Sequence, residues 1–439
     1  MANPTTRAGK GAQLTYDELD ANFTRAGYGF RTPQNSGFSV TTDGTGDNTN
    51  ALNSFASLCK SSGDPGMIPP GVYRTTAPFV IPAGAQVQGA GIRQTRIQPS
   101  AATFRAVRVA GSGLANADDH GGVVGNFGVR GPDGAPARNG MAALVLDAAP
   151  QTTVLPFLGE NYDICLDSIA NSYNCTVWGL RTDRRGERNV NCAINMRIGS
   201  TSGGDFLFYD TQVAGLVTAL CAAGQGGGYR FRGGSIGTNG TLSAADAQKF
   251  GVYSFGRDYA TDTVVQGVGL VELQDIHTEG WRSRYLIVSD GANEFCFNRG
   301  GITPSASTAG EQALGIILAR SMQNSRFLFR GPFLGGGPCY FASTEIANFA
   351  GNNDDFYMEE EWGSAAMTLG GTAVPRNWLK TIGEYSNYKN LPGQSGFYRY
   401  ADGAAGGAHV QGMGRYRLRT AADGTRVFSI NNGATWAAA

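Results

Sequence analysis

The 439-residue sequence has few of the residues on which common enzymes depend. Its histidines are His120, His277 and His409, so histidine-based mechanisms have little support, and it has no P-loop or zinc-protease motif, which leaves nucleotide hydrolysis and zinc proteolysis without support. The seven cysteines stand singly, with no Cys-x-x-Cys pair and no histidine at zinc spacing. We therefore expect no metal and no cofactor, and cysteines that are buried in a protein folded in a reducing cytoplasm.

Net charge and long apolar runs are also missing. The 35 Lys and Arg residues balance the 35 Asp and Glu residues, so no global field attracts nucleic acid. No run of about 18 apolar residues occurs, and residues 1–13 lack the apolar region of a signal peptide. We expect no nucleic-acid partner, no membrane insertion and no export by a standard signal.

Glycine and aromatic residues are abundant instead. The chain has 65 Gly, 23 Phe and 17 Tyr without a Gly-X-Y period, which is typical of a turn-dense β protein. From Gly37 onward, short apolar runs recur between Gly, Asn and Asp residues, with no long helical pattern between them. The pattern predicts many short strands, arranged either as stacked sheets, such as a propeller or sandwich, or as a solenoid.

Three segments near the N-terminus favour the solenoid. Gly37–Phe55, Gly66–Thr75 and Val80–Ile97 resemble the opening motif of the pectate-lyase-like β-helix superfamily. The resemblance implies an all-β, right-handed parallel β-helix whose N-terminal end is capped by a short helix. Independently, the chain has an apolar helical stripe suited to covering such an open end, formed by Ala51, Leu52, Phe55 and Leu58.

Both termini resemble phage tail proteins. Residues 14–23 predict a short amphipathic helix similar to the leader that anchors a spike to the virion. Residues 427–436 predict a hairpin with Asn432 and Gly433 at its turn, similar to the strands that close phage fibre trimers. Neither segment can bury its apolar face alone, which favours a homotrimer.

The family resemblance is therefore to bacteriophage tailspikes, or receptor-binding proteins. It implies a virion-attachment leader at 1–36, a parallel β-helix at 37–387 and a trimer-closing β region at 388–439. The expected partners are a phage tail or baseplate protein, bound through residues 1–36, and a bacterial surface polysaccharide, either capsule or O-antigen. The protein would be made in the host cytoplasm and would act in the virion tail.

Cleavage of the polysaccharide stays an open question at this stage. A glycoside hydrolase needs a proton donor and a nucleophile or base on either side of the scissile bond. Two acidic segments ending in Trp, residues 272–281 and 353–362, supply candidates. The candidate catalytic residues are Glu279, Glu359, Asp275, Asp355 and Glu360. The candidate substrate-binding residues are Trp281, His277, Tyr357, Trp362 and Glu272.

Strand alternation gives these candidates a geometry. If Ile276 and Thr278 point inward, His277 and Glu279 point outward together. Asp275 and Asp355 are separated by 80 residues, about three coils or roughly 10–15 Å, which exceeds the roughly 6.5–9.5 Å of an inverting pair. Cleavage would need a pair inside one segment or across a subunit boundary.

Weaker candidates and other functions remain open. Tyr253 and Tyr259 are possible outward aromatics for sugar binding, and Asp205 and Asp210 are expected on opposite faces of one strand. Outward carboxylates also occur on ordinary solvated sheets. The alternatives are a non-enzymatic tail adhesin or a free polysaccharide lyase or hydrolase, although the polygalacturonase motifs are absent from the sequence.

Overall fold

The structure is a computed structural model. It describes residues 30–304 except 113–116, 171, 183–188, 198–204, 225–226, 241–242, 248, 266–267, 282–284 and 291. Beyond residue 304 it describes the backbone of the strands alone. The predicted leader helix at 14–23 lies outside the described residues.

The described chain is almost entirely β. Its α-helices are α1 (Thr49–Ser62) and α2 (Ala244–Ala247), and 3-10 turns occur at Gln34–Ser36 and Ala117–Asp119. The strands up to residue 200 are β1 (Asp43–Asp47), β2 (Gly66–Ile68), β3 (Gly71–Thr75), β4 (Phe79–Pro82), β5 (Gln86–Gly89), β6 (Thr95–Pro99), β7 (Val107–Ala110), β8 (Val123–Gly125), β9 (Phe127–Arg130), β10 (Ala142–Asp147), β11 (Thr153–Val154), β12 (Phe157–Glu160), β13 (Ile164–Ile169), β14 (Cys175–Trp178), β15 (Leu180–Thr182) and β16 (Val190–Arg197).

Longer strands follow. They are β17 (Asp205–Ala223), β18 (Gly228–Thr238), β19 (Tyr253–Phe255), β20 (Arg257–Asp258), β21 (Thr263–Val264), β22 (Val268–Trp281), β23 (Tyr285–Ser289), β24 (Ala292–Pro304), β25 (Leu314–Ala319), β26 (Arg326–Leu334), β27 (Cys339–Phe341), β28 (Asp355–Glu359), β29 (Met367–Leu369) and β30 (Thr372–Val374). The last five are β31 (Phe397–Asp402), β32 (Ala408–Met413), β33 (Tyr416–Thr420), β34 (Arg426–Ser429) and β35 (Ala437–Ala438).

Parallel pairing joins the strands into three ladders that wind around one axis. The first ladder begins with β1, β3, β6, β9, β12 and β15. The second begins with β4, β7, β10, β13 and β16, and the third with β2, β5, β8, β11 and β14. Strand β17 pairs with β14, β15 and β16, so it bends through all three ladders. The predicted all-β fold, a parallel β-helix, is confirmed.

The core is built from columns of side chains that repeat from coil to coil. In one column Phe206, Tyr229, Val271 and Phe295 lie in register, and all four are buried. In the next column the rings of Phe208 and Phe231 stack with their centroids 4.3 Å apart. Because neighbouring coils lie only about 4.8 Å apart, planar aromatic side chains fill successive levels without a gap. Inward alternation therefore follows the period of two that the sequence predicts.

Helix α1 packs on the N-terminal coils through a stripe that differs from the predicted one. The buried residues are Leu52, Phe55, Ala56 and Cys59. Ala51 and Leu58 are only partly buried, because the stripe follows the i, i+3, i+4, i+7 pattern from Leu52 rather than starting at Ala51. The capping helix itself was predicted.

The turn before α1 is held by one carboxylate. Asp47 accepts hydrogen bonds from the Thr49 amide at 3.0 Å and from the Thr76 amide and hydroxyl at 3.2 and 2.6 Å. Partial burial alone would raise the pKa of Asp47, but these hydrogen bonds lower it to about 2. The acidic turn thus joins the helix start to the first coils.

Corners with left-handed backbone separate the third ladder from the first. Asp210, Gly233, Asp275 and Arg299 have φ values of 49°, 68°, 55° and 51°, and they stand between the two ladder segments of β17, β18, β22 and β24. Asp tolerates this conformation better than most residues with a Cβ, which suits the two Asp corners. The outer residues before and after each corner consequently lie on two different faces.

The C-terminal region contains a separate antiparallel sheet of strands β31 to β35. Val427 and Phe428 pair with Ala438 and Ala437, so two strands do flank the predicted hairpin. Asn432, Gly433 and Trp436 lie outside the described residues. The boundaries at 36 and 387 stay predictions. In the described part of the chain no helix is long and apolar enough to cross a membrane.

The cysteines behave as predicted where the structure describes them. Cys59, Cys165, Cys175, Cys192, Cys221 and Cys296 are free thiols and are buried. Burial raises the pKa of Cys165 and of Cys175 to about 12, which keeps both thiols protonated at neutral pH. They act as apolar packing groups.

Candidate functional site

The outer face of the third ladder carries a group of aromatic, charged and amide side chains that are exposed or partly exposed. We call this surface the third-ladder face, and it comprises Trp178, Asp205, Tyr209, Arg230, Arg232, Glu272, Gln274 and Asn298. One column runs in register from Trp178 through Tyr209, Arg232 and Gln274 to Asn298. At about 4.8 Å per coil, this column is about 19 Å long.

The N-terminal end of this column consists of two aromatic residues. Trp178 is the last residue of β14 and pairs in register with Tyr209 of β17. The two rings stack with centroids 4.2 Å apart and an interplanar angle of 13°. Trp178 nevertheless remains 45% exposed, although it is a large apolar side chain. A half-exposed indole supported by a second ring is a platform on which the apolar face of a ligand can pack.

The centre of the third-ladder face is a hydrogen-bonded network around Glu272. The guanidinium of Arg232 donates to both carboxylate oxygens of Glu272, each at 3.1 Å. Asn298 Nδ2 donates to Glu272 Oε1 at 3.3 Å. Paired, two-bond contacts of this kind fix both side chains in one geometry. The Glu272 side chain is only 18% exposed, and that of Arg232 is 32% exposed.

Further ion pairs border the network. Arg230 pairs with Asp205 at 2.6 Å and approaches Glu272 at 3.7 Å. Arg232 also donates to the side-chain oxygen of Gln274. These contacts leave a surface of fixed charges, amides and rings in which acidic and basic groups alternate from coil to coil.

The corner beside this face carries two more ion pairs. Arg181 pairs with Asp210, and Arg299 Nε lies 3.4 Å from Asp275 Oδ1. Asp275, a predicted catalytic residue, is therefore an exposed corner residue that faces a cation. Asp205 and Asp210 were expected on opposite faces, but both are exposed, because the corner at Asp210 interrupts the alternation.

The first predicted acidic segment is divided by the corner at Asp275. Glu272 lies on the third-ladder face, as described above, whereas His277 lies on the first-ladder side and is exposed. Ile276 and Thr278 are buried, so the predicted alternation after the corner holds. The side chains of Glu279 and Trp281 lie outside the described residues. The backbone places Glu279 in register with Gly237 and Thr303.

The second predicted segment lies further along the same ladder. Asp355, Tyr357 and Glu359 belong to β28, whose side chains lie outside the described residues, as do Glu360 and Trp362 entirely. By register, Tyr357 stands in the column of Glu272, and Glu359 stands in the column of Gln274. Three pairing steps separate each couple, or about 14 Å. The carboxylates of Glu272 and Glu359 therefore belong to coils about 14 Å apart, which exceeds the spacing of an inverting acid and base.

The prediction that Tyr253 and Tyr259 point outward for sugar binding is wrong. Tyr253 belongs to the core of the second ladder, where its hydroxyl lies 2.6 Å from that of Thr278. Tyr259 is also buried, in the hairpin formed by β20 and β21. The residues that alternation could have identified instead are Trp178 and Tyr209, since each is the last outward position of a strand before a corner.

The hairpin covers the outer side of the second ladder. Tyr259 Oη donates to Asp163 Oδ1 at 2.8 Å, and Asn195 Nδ2 donates to both Asp167 and Asp258 at 3.0 Å. Burial raises the pKa of Asp167, although the Arg197 guanidinium beside it opposes the shift. Asp163, Asp167 and Asp258 are all buried, so these carboxylates cannot meet a polysaccharide. They hold the hairpin against the second ladder by hydrogen bonds.

No group of His, Cys, Asp or Glu among the described residues is arranged to hold a metal ion. The third-ladder face accordingly offers rings, guanidinium groups, amides and carboxylates as its chemistry. Such groups bind sugars through ring packing and hydrogen bonds.

Comparison with known proteins places the fold. No protein-family model matches the chain, and no curated protein matches its sequence. Among solved structures, ORF18 of Geobacillus virus E2 is similar with a TM-score of 0.52 and 13% identity, over 97% of this chain and 79% of that one. The tailspike protein of Acinetobacter phage vB_ApiP_P1 has a TM-score of 0.51 and 12% identity, over 94% of this chain and 78% of that one.

The fold resembles that of a phage tailspike. The resemblance inferred from the two termini and the opening motif is thereby confirmed at the level of the fold. At 12–13% identity, however, the likeness extends to the fold alone. The third-ladder face is a property of this chain's own residues.

Proposed function

We propose that the protein is a phage tailspike that binds a bacterial surface polysaccharide, capsule or O-antigen, through the third-ladder face. The observation that carries this proposal is the half-exposed Trp178, stacked on Tyr209 at one end of a row of hydrogen-bonding side chains. A long polysaccharide suits a surface that offers a ring or a hydrogen-bonding side chain at each successive coil. Aromatic rings bind the apolar faces of sugars, and the amide and guanidinium groups reach their hydroxyls.

The proposal includes the assembly and location that a tailspike needs. The chain would form a homotrimer, joined to a phage tail or baseplate protein through residues 1–36, and would act in the virion tail. Support comes from the resemblance of both termini to phage tail proteins and from the five-stranded C-terminal sheet. Sedimentation of the purified chain tests the assembly: three times the 46.1 kDa chain mass is expected, and a monomer would contradict it.

Binding without cleavage is the form of the function that the described residues favour. Glu272 is held by Arg232 and Asn298 and is partly buried, and Asp275 faces Arg299, so both carboxylates are already engaged by neighbouring side chains. Cleavage by Glu279, Glu359, Asp355 or Glu360 stays a prediction, with a glycoside hydrolase or lyase as the enzyme class.

One experiment tests both parts. The full chain is incubated with a panel of purified capsular and O-antigen polysaccharides, and binding is measured together with new reducing ends and the ultraviolet absorbance of unsaturated uronates. Binding to at least one polysaccharide supports the tailspike function. Failure to bind any member, and any intact bacterial cell, would overturn it. New ends or absorbance would establish a hydrolase or a lyase.

A further inference from the structure

The charges on the third-ladder face and on the corner beside it pair one for one. Four guanidinium groups meet four carboxylates: Arg181 with Asp210, Arg230 with Asp205, Arg232 with Glu272 and Arg299 with Asp275. The sum of these charges is zero. Among the described side chains of this face, an approaching anion therefore meets as many repelling groups as attracting ones, and their summed charge does not steer it.

The central pair also resists exchange. A sugar carboxylate that approached Arg232 would either displace Glu272, which holds the guanidinium by two parallel hydrogen bonds, or lie beside it. The displaced carboxylate would stay beside the incoming one, because Asn298 and Arg230 contact it as well. Two like charges at that distance in a half-buried site repel strongly. An uncharged hydroxyl can instead add a hydrogen bond without separating any pair.

The remaining groups of the column are suited to neutral ligands. Trp178 offers an exposed apolar surface, and Gln274 and Asn298 offer amides, which both donate and accept. Because the column from Trp178 to Asn298 spans four pairing steps, or about 19 Å, one sugar cannot reach both ends. A ligand that contacts the whole column is therefore a chain of several sugars.

We propose that the third-ladder face binds a stretch of several uncharged sugars, packed against Trp178 and hydrogen-bonded by Gln274 and Asn298, while the ion pairs stay intact. The proposal rests on polysaccharide binding as proposed above and names its ligand class. It predicts that neutral polysaccharides, or neutral stretches of mixed ones, are the preferred members of the panel. The paired arginine residues act as positioning groups rather than as anion receptors.

Salt dependence tests the charge of the ligand with the wild-type chain. The affinity for each bound polysaccharide is measured by calorimetry between about 0.05 and about 0.5 M sodium chloride, a range over which exposed charges become strongly screened. The affinity is expected to change less than about twofold, since no net charge is neutralised on binding. A loss of about tenfold or more, or binding confined to uronate-containing polysaccharides, would overturn the proposal.

Substitution of Trp178 tests where the polysaccharide binds. Trp178→Ala is expected to weaken binding about 3- to 10-fold, as the loss of one aromatic contact does. Val264→Ala is the matched control, because it truncates a similarly exposed apolar residue in the hairpin over the second ladder, and its affinity should equal that of the wild type. Equal affinities for all three proteins would overturn the proposed site.

The outcomes separate this inference from the proposed function. If no polysaccharide binds, both the proposed tailspike function and the proposed ligand class are wrong. If a polysaccharide binds with a steep salt dependence, only the inference of an uncharged ligand fails. Circular dichroism verifies that the variants fold, and the salt titration decides the ligand's charge even if Trp178→Ala does not fold.

Discussion

Two outer faces of the same solenoid differ in what covers them. On the third ladder the outward column from Trp178 to Asn298 meets solvent and holds its charges in exposed or half-buried pairs. On the second ladder the outward column from Val145 through Asp167, Asn195 and Cys221 is buried under the hairpin of β20 and β21.

A residue that points outward from the solenoid is therefore not necessarily accessible to a ligand. Strand alternation places polar residues outward on both ladders. On the second ladder a further layer of chain lies over these outward residues, and the carboxylates there are buried and hydrogen-bonded. Val145, Cys192 and Cys221 pack in one cluster with Phe250 of that layer. Only the uncovered face can meet a ligand. Substitutions on the two faces should therefore differ in their effects on stability.

The largest effect is expected under the hairpin. Arg197→Ala removes the cation beside Asp167, whose side chain is fully buried. We expect a loss of about 3–5 kcal/mol in the free energy of unfolding at neutral pH, because an unpaired buried carboxylate is left behind. Urea denaturation measures it. An effect below about 1 kcal/mol would mean that the hairpin does not bury this carboxylate.

The pH dependence of that variant has a definite sign. Burial raises the pKa of Asp167 in the folded state above the unfolded value of about 3.9. A raised acid stabilises the fold below its unfolded pKa, and this contribution is lost as pH rises through the folded pKa. Arg197→Ala should thus be least destabilising near about pH 4, where Asp167 is protonated, and the double variant with Asp167→Asn should recover part of the loss at neutral pH.

A smaller effect is expected for the hydroxyl that joins the hairpin to the sheet. Tyr259→Phe removes the donor to Asp163 and keeps the ring. Because Asp163 keeps hydrogen bonds from Asn191 and from the Asn139 and Gly140 amides, the loss should be about 1–2 kcal/mol. Thermal unfolding by calorimetry measures it. Tyr209→Phe on the exposed face is the matched control and should change stability by less than about 0.5 kcal/mol.

An exposed carboxylate should show the opposite pH dependence. Asp47 has a pKa of about 2 in the fold and about 3.9 when unfolded. A lowered acid contributes stability above its unfolded pKa, and the contribution disappears as pH falls from about 4 to about 2. Asp47→Asn should cost about 1 kcal/mol at neutral pH and nearly nothing at about pH 2. A pH-independent difference would contradict this account of the turn.

The smallest effect on stability is expected on the third-ladder face. Replacing Arg232 and Glu272 together by Gln should change the free energy of unfolding by less than about 1 kcal/mol, since both partners are neutralised together and no unpaired charge is left in the half-buried site. Urea denaturation at low and high salt checks it. A cost as large as that of Arg197→Ala would show that this face is covered like the second ladder.

The sequence identifies the fold well because its signals are local. The acidic turn at Asp47, the stripe of α1 and the alternation of Ile276 and Thr278 each depend on residues close in the chain. The predicted parallel β-helix follows from these repeating signals. The site is less predictable, since it depends on coils that the sequence does not align.

Three residues show why. The sequence predicts an outward Tyr259, but a hairpin folds it onto Asp163, 96 residues earlier in the chain. Alternation marks Trp178 as an outward residue before a corner, but its stacking on Tyr209 arises only when two coils lie in register. Asp275 likewise looks like a strand residue, and its left-handed corner emerges only with the pairing on both sides.

A crystal structure of the protein with a bound fragment of a recognised polysaccharide would test the central claim most directly. The account predicts sugar density along the third ladder, packed against Trp178 and within hydrogen-bond distance of Gln274 and Asn298, with the Arg232–Glu272 pair intact. Density over the hairpin, or on the first-ladder side near His277 with the third ladder empty, would contradict it.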